Sequence, residues 1–302
     1  MDKWIIKAAL QKVMSALPAS EQINYWFQRR ITKNLPLNKD GFMQKAADAV
    51  RHFKIYSSHH TVLPETTFYE FGAGWDLAIP LVYYALGVRR QLLVDVRPNL
   101  QWELVQDTVG KISRYHADLS RLAGVEIRAV PPLRNTVSDL LEKTGIDYRS
   151  PCDAAQSGLA SNSIDFISST VTMEHIPEPV LEKILHESFR ILKPQGVMSS
   201  TIDLQDHFSY FDSGISYYHF LQFSDAAWHW INSDLASQNR LRYPDYMRLV
   251  GGTPFEVSEK TCTAPHAQDL ALLKSLPLAE KFRRYGLDDL GVRGLNLVLK
   301  KN

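Results

Sequence analysis

The sequence predicts an α/β protein built on a mostly parallel, seven-stranded sheet, and three observations predict it. From Thr67 onward, short β-rich runs alternate with helical ones, the pattern of a parallel sheet with crossover helices. The first run leads into a glycine turn, Glu70-Phe71-Gly72-Ala73-Gly74. The next run closes about twenty residues later on a carboxylate, Asp95, where a nucleotide-binding sheet of Rossmann type holds a ribose.

Residues 1–62 read as an N-terminal helical segment. Ile5, Ala8, Ala9, Val13 and Leu17 recur at helical spacing, with Lys7 and Lys12 between them. Those lysines also break what would be the apolar region of a signal peptide, so the start reads as retained and the protein as cytoplasmic. Two readings of this helix compete: a helix docked on its own domain, and a basic amphipathic helix touching a membrane surface. The helical pattern favours the first. Ala19 to Arg30 is aromatic-rich, and Gly41 to Tyr56 has helical composition after the break at Pro36.

The sheet elements follow in order. Thr67–Phe71 is the first strand, Trp75–Leu86 a helix, Gln91–Val96 the second strand, and Asn99 to His116 a helix. Residues 119–145 read as an irregular insertion before a short third strand, Ile146–Arg149. Ile164–Ser169 is the fourth strand and Val180–Leu192 a helix, stopped by Lys193-Pro194-Gln195-Gly196 before the fifth strand, Val197–Ile202. Phe255–Thr261 and Leu295–Lys300 close the sheet as a final pair, and an aromatic stretch at residues 205–250 forms a cap insertion.

The glycine turn narrows the ligand. A third glycine at the dinucleotide spacing is missing, because Leu77 follows Asp76. A pyrophosphate favours a helix N-terminus free of acid, and Asp76 is unwelcome there. A phosphate-free adenosyl cofactor carrying a sulfonium cation tolerates Glu70, Asp76 and Asp95, whereas a nicotinamide-dependent oxidoreductase does not fit the missing glycine.

Composition sets outer bounds. The 34 basic and 33 acidic residues nearly cancel, so no broad positive field draws the protein to a nucleic-acid backbone, and no nucleic-acid partner is expected. Two cysteines, Cys152 and Cys262, cannot form a disulfide framework. No apolar run approaches the ~20 residues that span a bilayer, so membrane contact, if present, is peripheral.

In these motifs the chain resembles the class I S-adenosylmethionine-dependent methyltransferases, especially their small-molecule branch. Glu70-x-Gly72-x-Gly74 looks like the family's first motif and Asp95 like its second. Asp153, in Ser150-Pro151-Cys152-Asp153-Ala154, resembles the acid that holds the adenine amino group. Ser163-Ile164-Asp165-Phe166-Ile167 and Met173-Glu174-His175-Ile176-Pro177 are similar to the fourth strand and its following loop. Glu187 to Val197 matches the family's helix–turn–strand signature, with Gln195 where glycine is usual. The resemblance implies an enzyme with S-adenosylmethionine as cofactor, a methyltransferase domain over residues 63–302, and cofactor contacts from Glu70, Gly72, Ala73, Gly74, Asp95, Val96, Asp153, Ala154 and Thr170. Gly72-Ala73-Gly74-Trp75-Asp76-Leu77 and Asn24-Tyr25-Trp26-Phe27-Gln28-Arg29-Arg30 also resemble methyltransferases of bacterial surface-polysaccharide gene clusters.

The acceptor side is read from the fourth and fifth strand ends. Thr170-Val171-Thr172-Met173 lacks the Asn or Asp-Pro-Pro-aromatic turn of nucleobase amino methylation. His175 is the leading base, because an imidazole can take a proton at neutral pH; Asp206 and His207 are the further catalytic candidates. Glu174-His175 resembles the end of a Glu-x-x-Glu-His metal site, but Val171 replaces its first Glu. A divalent metal would need His207, His219 or Asp206 to complete its ligands, and the reading kept is one without metal. The aromatic stretch suits a small-molecule or glycan acceptor. The expectation is therefore O-methylation of a small-molecule or sugar hydroxyl, with a small amine and a catalytically silent scaffold as the alternatives.

Overall fold

The computed structural model describes residues 3–15, 17, 20–30, 35–235 and 237–302. Met1, Ala19 and the side chains of Asn24, Phe27 and Arg30, on which some of the readings above rest, lie outside the described residues.

Three helices come first: α1 (Lys3–Ser15), α2 (Ser20–Arg30) and α3 (Lys39–Ser57). Asn38 starts α3 by accepting a hydrogen bond from the Gly41 amide. Then follow β1 (Thr67–Phe71), α4 (Ala78–Ala85), β2 (Arg90–Val94), α5 (Trp102–Arg114), α6 (His116–Ala123), α7 (Val137–Thr144) and β3 (Ile146–Arg149). The second half runs β4 (Ile164–Thr170), α8 (Glu178–Ile191), β5 (Leu192–Asp203), α9 (Asp225–Ile231), α10 (Tyr243–Gly251), β6 (Glu256–Thr263), α11 (Ala267–Ser275), α12 (Leu287–Gly291) and β7 (Gly294–Lys300).

The seven strands form one sheet in the order β3-β2-β1-β4-β5-β7-β6. β1 to β5 pair in parallel, while β7 runs antiparallel to both neighbours. The strand order reverses between β1 and β4, which opens the crevice where such sheets bind ligands. Both faces of the central sheet are covered, and β1 and β2 are buried from their second residue on. On one face Phe68 and Phe166 pack with Phe42 and Ala46 of α3 and Leu81 of α4. On the other, Tyr69, Phe71 and Ile167 pack with Leu181 and Leu185 of α8 and Tyr246 of α10. A third cluster joins Trp4 of α1 to Phe208, Tyr218, Phe220, Trp228 and Phe282.

Two expectations are corrected. The stretch 119–145 is not irregular throughout, since it carries the end of α6 and the whole of α7. The Thr136 hydroxyl caps α7 at the Asp139 amide, and Gly145 at φ 72° stops it after eight residues. The helix expected from Trp75 begins only at Ala78, because Leu77 adopts a left-handed φ of 50° that no helix can include.

Candidate functional site

The cofactor side grows from the ends of β1, β2 and β3. Backbone hydrogen bonds fasten them together: Gly72 N to Val94 O at 3.0 Å, Asp95 N to Arg149 O at 3.2 Å, and Cys152 N to Asp95 O at 2.9 Å. Gly72 and Gly74 both hold positive φ, 77° and 71°. Their reasons for being glycine differ. A Cβ on Gly72 would stand 2.3 Å from Cγ2 of Thr172, in the loop after β4, so there the close neighbour is protein. A Cβ on Gly74 would meet no atom within 4 Å, and this is the open space at the turn.

Glu70 lies buried at the end of β1, and its Oε2 has no hydrogen-bond partner. Burial pushes its carboxyl up to about 8; Lys45 opposes the rise and Asp76 adds to it. Asp76 does not stand bare at the helix start, as the sequence suggested. Lys45 Nζ of α3 holds it at 2.8 and 3.0 Å, and its Oδ1 also accepts from the Ala78 amide at 3.1 Å. The charge expected to repel an anion is therefore largely offset.

Asp95 Oδ1 accepts from the Arg97 amide at 3.1 Å and from Asn99 Nδ2 at 3.5 Å. Burial raises its carboxyl, against these hydrogen bonds and one from the Gly74 amide. Val96 beside it is 67% exposed, an apolar surface at the mouth of the site. Exposed Asp153 caps the short turn at Ala154–Gln156, accepting from Ala155 N at 2.8 Å. Thr170, at the end of β4, is bound differently than expected: its hydroxyl lies 3.2 Å from Nε2 of His52 in α3. His52 is fully buried and its Nδ1 meets Ser199 Oγ of β5 at 2.7 Å. Sequence reasoning missed this histidine, which sits inside an otherwise helical pattern without a motif around it.

The catalytic candidates read from the sequence lie beyond the ends of β4 and β5. His175 Nδ1 stands 2.5 Å from the Ser237 carbonyl; that oxygen can only accept, so Nδ1 carries the proton and Nε2 keeps its lone pair. Burial, and secondly the neighbouring His207, lower its imidazole to about 4, so it is neutral at physiological pH. The rings of His175 and His207 meet edge to face, their centroids 5.0 Å apart. His207 Nε2 lies 3.3 Å from Asp203 Oδ2, and its ring stacks on Tyr210. Tyr210 donates to the same oxygen at 2.5 Å, while Gln205 binds Oδ1 through its amide and side chain. Burial would raise Asp203, yet hydrogen bonds from His207, Tyr210 and Gln205 hold it below the usual carboxylate range.

Of the three catalytic candidates, the structure brings His175 and His207 together and leaves Asp206 apart. The Asp206 carboxylate caps the Phe208 amide and faces His219, 3.4 Å away. Asp203, four residues before His207, takes the place next to the imidazoles. Glu174 is buried beside this pair with neither carboxylate oxygen hydrogen-bonded, and burial raises it well above the usual range. Among the described residues, Glu174, His175 and His207 offer atoms within 4.8 Å of one another that could hold a metal ion. His219 is not among them.

A cleft of about 540 Å³ opens beside His175, lined in part by Asn232, Gln238, Asn239, Arg240, Lys281 and Tyr285. Its cations are already paired: Arg240 and Lys281 both bind Asp225. Asn239 also ties the loop after β4, donating through Nδ2 to Met173 O at 2.9 Å and Ile176 O at 2.8 Å.

Residues 109–200 match the model of the methyltransferase domain family. Against curated proteins the sequence has no match. Among solved structures the chain is similar to a geranyl diphosphate C-methyltransferase from Streptomyces coelicolor, at 11% identity over 95% of this chain and 100% of that one, with a TM-score of 0.45. It is similar also to phosphoethanolamine N-methyltransferase 2 from Haemonchus contortus (14% identity, 91% and 59% covered, TM-score 0.46). A third is a methyltransferase from Methanosarcina mazei (12% identity, 82% and 96% covered, TM-score 0.45). The family match over residues 109–200 thus falls within a seven-stranded, Rossmann-like α/β sheet.

Proposed function

We propose that this protein is an S-adenosylmethionine-dependent methyltransferase acting on a hydroxyl group of a small molecule or sugar, with a surface glycan or its nucleotide-linked precursor as the acceptor class. The observation that carries the reading is the neutral His175 imidazole, its Nε2 lone pair unprotonated and its Nδ1 fixed by Ser237, beside a cleft lined with amides. Amide side chains that both donate and accept, in a cleft where Arg240 and Lys281 are already paired with Asp225, suit a polyhydroxyl group.

The cofactor side fits the methyl donor. Glu70 offers a buried, unpartnered oxygen, Gly74 faces open space, and the acids Asp95 and Asp153 suit hydroxyl and amino donors better than phosphates. In this reading Asp95 holds the ribose hydroxyls and Asp153 the adenine amino group, with Ala73, Val96, Ala154 and Thr170 alongside. S-adenosylmethionine, when bound, supplies a methyl group on a positively charged sulfur, which leaves as a neutral thioether. The acceptor oxygen's new bond to carbon makes its proton strongly acidic, and His175 Nε2 takes that proton. A base with a pKa near 4 is adequate for a proton released so late, and Asp203 lies close enough to offset the charge that appears on the ring.

Titration with S-adenosylhomocysteine, followed by methyl transfer to a panel of sugars and nucleotide sugars, tests the reading. Binding with an O-methylated product is expected. His175→Ala is expected to lower turnover about 10²–10⁴-fold with homocysteine-adduct affinity kept. No affinity for the adduct would leave a silent scaffold, and product methylated on nitrogen would point to a small amine.

A further inference from the structure

We propose that helix α1 docks this protein on the surface of an anionic phospholipid bilayer, without spanning it. This goes beyond the methyl-transfer reading and does not depend on it.

One face of α1 is seated on the aromatic cap. Trp4, Ala8, Gln11 and Met14 point inward, and Trp4 packs against Phe208, His219 and Phe223. A helix so docked ordinarily shows polar residues to water. This one does not. At 100° per residue, Ile6, Leu10 and Val13 form a ridge within about 60° of arc, on the side away from Trp4 and Ala8. They are 40%, 44% and 62% exposed, and Ile5 and Leu17 extend the apolar surface.

The flanks of the ridge are amphipathic. Lys12 Nζ donates to the carbonyls of His229 and Asn232, which bracket Trp230, and Trp230 is 76% exposed. Lys7 Nζ lies 5.2 Å from the ring centre of Phe211, itself part-exposed. From Lys3 to Leu17 the chain has three lysines and no acidic residue. Apolar residues on the outer face, exposed aromatic rings at its margin and an excess of positive charge are what an anionic interface attracts.

A second copy of the chain is the weaker occupant. Five aliphatic side chains, four on one short helix and one just beyond it, none more than two-thirds exposed, fall well short of the ~800 Å² each partner gives a stable interface. A bilayer makes no such demand, since shallow burial of a few side chains adds to electrostatic attraction. No helix is long and apolar enough among the described residues to cross a membrane, so the contact is superficial.

Co-sedimentation of the full chain with vesicles of phosphatidylcholine, with and without phosphatidylglycerol, tests the proposal. Binding to the anionic vesicles is expected, weakened by salt. The double variant Leu10→Glu/Val13→Glu should lower the bound fraction at least tenfold, with circular dichroism and S-adenosylhomocysteine affinity unchanged. Leu141→Glu, at an exposed apolar residue of α7, should bind vesicles like the unaltered protein. Absence of binding to anionic vesicles, or equal binding by the double variant, overturns the proposal. So does light scattering that finds a dimer which the double variant splits.

Discussion

Replacing Gly72 and Gly74 by alanine separates two roles that the sequence motif presents as one. Both residues hold nearly the same left-handed backbone, φ 77° and 71°, so the conformational cost of a Cβ is shared, about 1–2 kcal/mol. Only at Gly72 does the new carbon collide. It would stand 2.3 Å from Thr172 Cγ2, 2.5 Å from Oγ1 and 2.9 Å from Cβ, and overpacking of this kind costs about 1–3 kcal/mol more. Gly72→Ala should therefore destabilise the protein by about 2–5 kcal/mol, and Gly74→Ala by about 1–2 kcal/mol. Urea unfolding monitored by tryptophan fluorescence measures both. Thr172→Ala in the Gly72→Ala background removes two of the three clashing atoms and should recover much of the loss. Gly74→Ala, stable by comparison, should lose S-adenosylhomocysteine affinity, because its Cβ enters the open space of the turn. Equal destabilisation by the two alanines would refute the assignment of Gly72 to the contact with Thr172.

Glu70 predicts a pH dependence with a definite sign. Its carboxyl is raised by burial to about 8 in the folded protein from an ordinary 4.5, so the folded state holds the proton longer than the unfolded chain. Its contribution is fully present below about 4.5 and is lost as pH rises to about 8; Glu70→Gln should flatten that part of the denaturation profile, and an unchanged difference between the two proteins would count against it. Lys45→Met leaves Asp76 buried without its cation and should cost about 1–3 kcal/mol, discounted because Lys45 is partly exposed. Adding Asp76→Asn should restore most of that in a double-mutant cycle, and simple additivity would deny the coupling. Turnover should survive dialysis against EDTA if His175 takes the proton itself; loss of activity restored by a divalent cation would instead give Glu174, His175 and His207 a metal to hold.

The sheet was largely legible because its signal is local. β1 and β3 have the bounds their β-rich runs indicate: β1 is a central strand buried from its second residue on, while β3 is an edge strand that alternates buried and more exposed residues. α7 was not legible, because eight residues carry two helical turns and its start depends on a threonine cap that many loops also contain. Asp76 was read by its own charge alone. Its partner Lys45 comes 31 residues earlier on a different helix, and no spacing rule connects them. Gly72 shows the same limit: the motif marks where a glycine belongs, while the reason for it is Thr172, a hundred residues onward.

The proposed acceptor side was less legible, because its central imidazole is held by a tether distant in sequence. His175 announces itself by following the fourth strand, but its tautomer is set by the Ser237 carbonyl, 62 residues on. Asn239 then holds the same loop through Met173 and Ile176, so a single polar segment orients the His175 ring and shapes the cleft beside it. Adjacency misled at the end of β5, where Asp206 and His207 are neighbours in sequence. The chain turns after Asp203, sending Asp206 to the Phe208 amide and the His219 side while His207 folds back to within ion-pair distance of Asp203. Fold-determining residues repeat with the period of their element and can be read singly. The proposed base His175 is instead set by Ser237 from a separate loop, and such a pair becomes visible only when the fold has brought its members together.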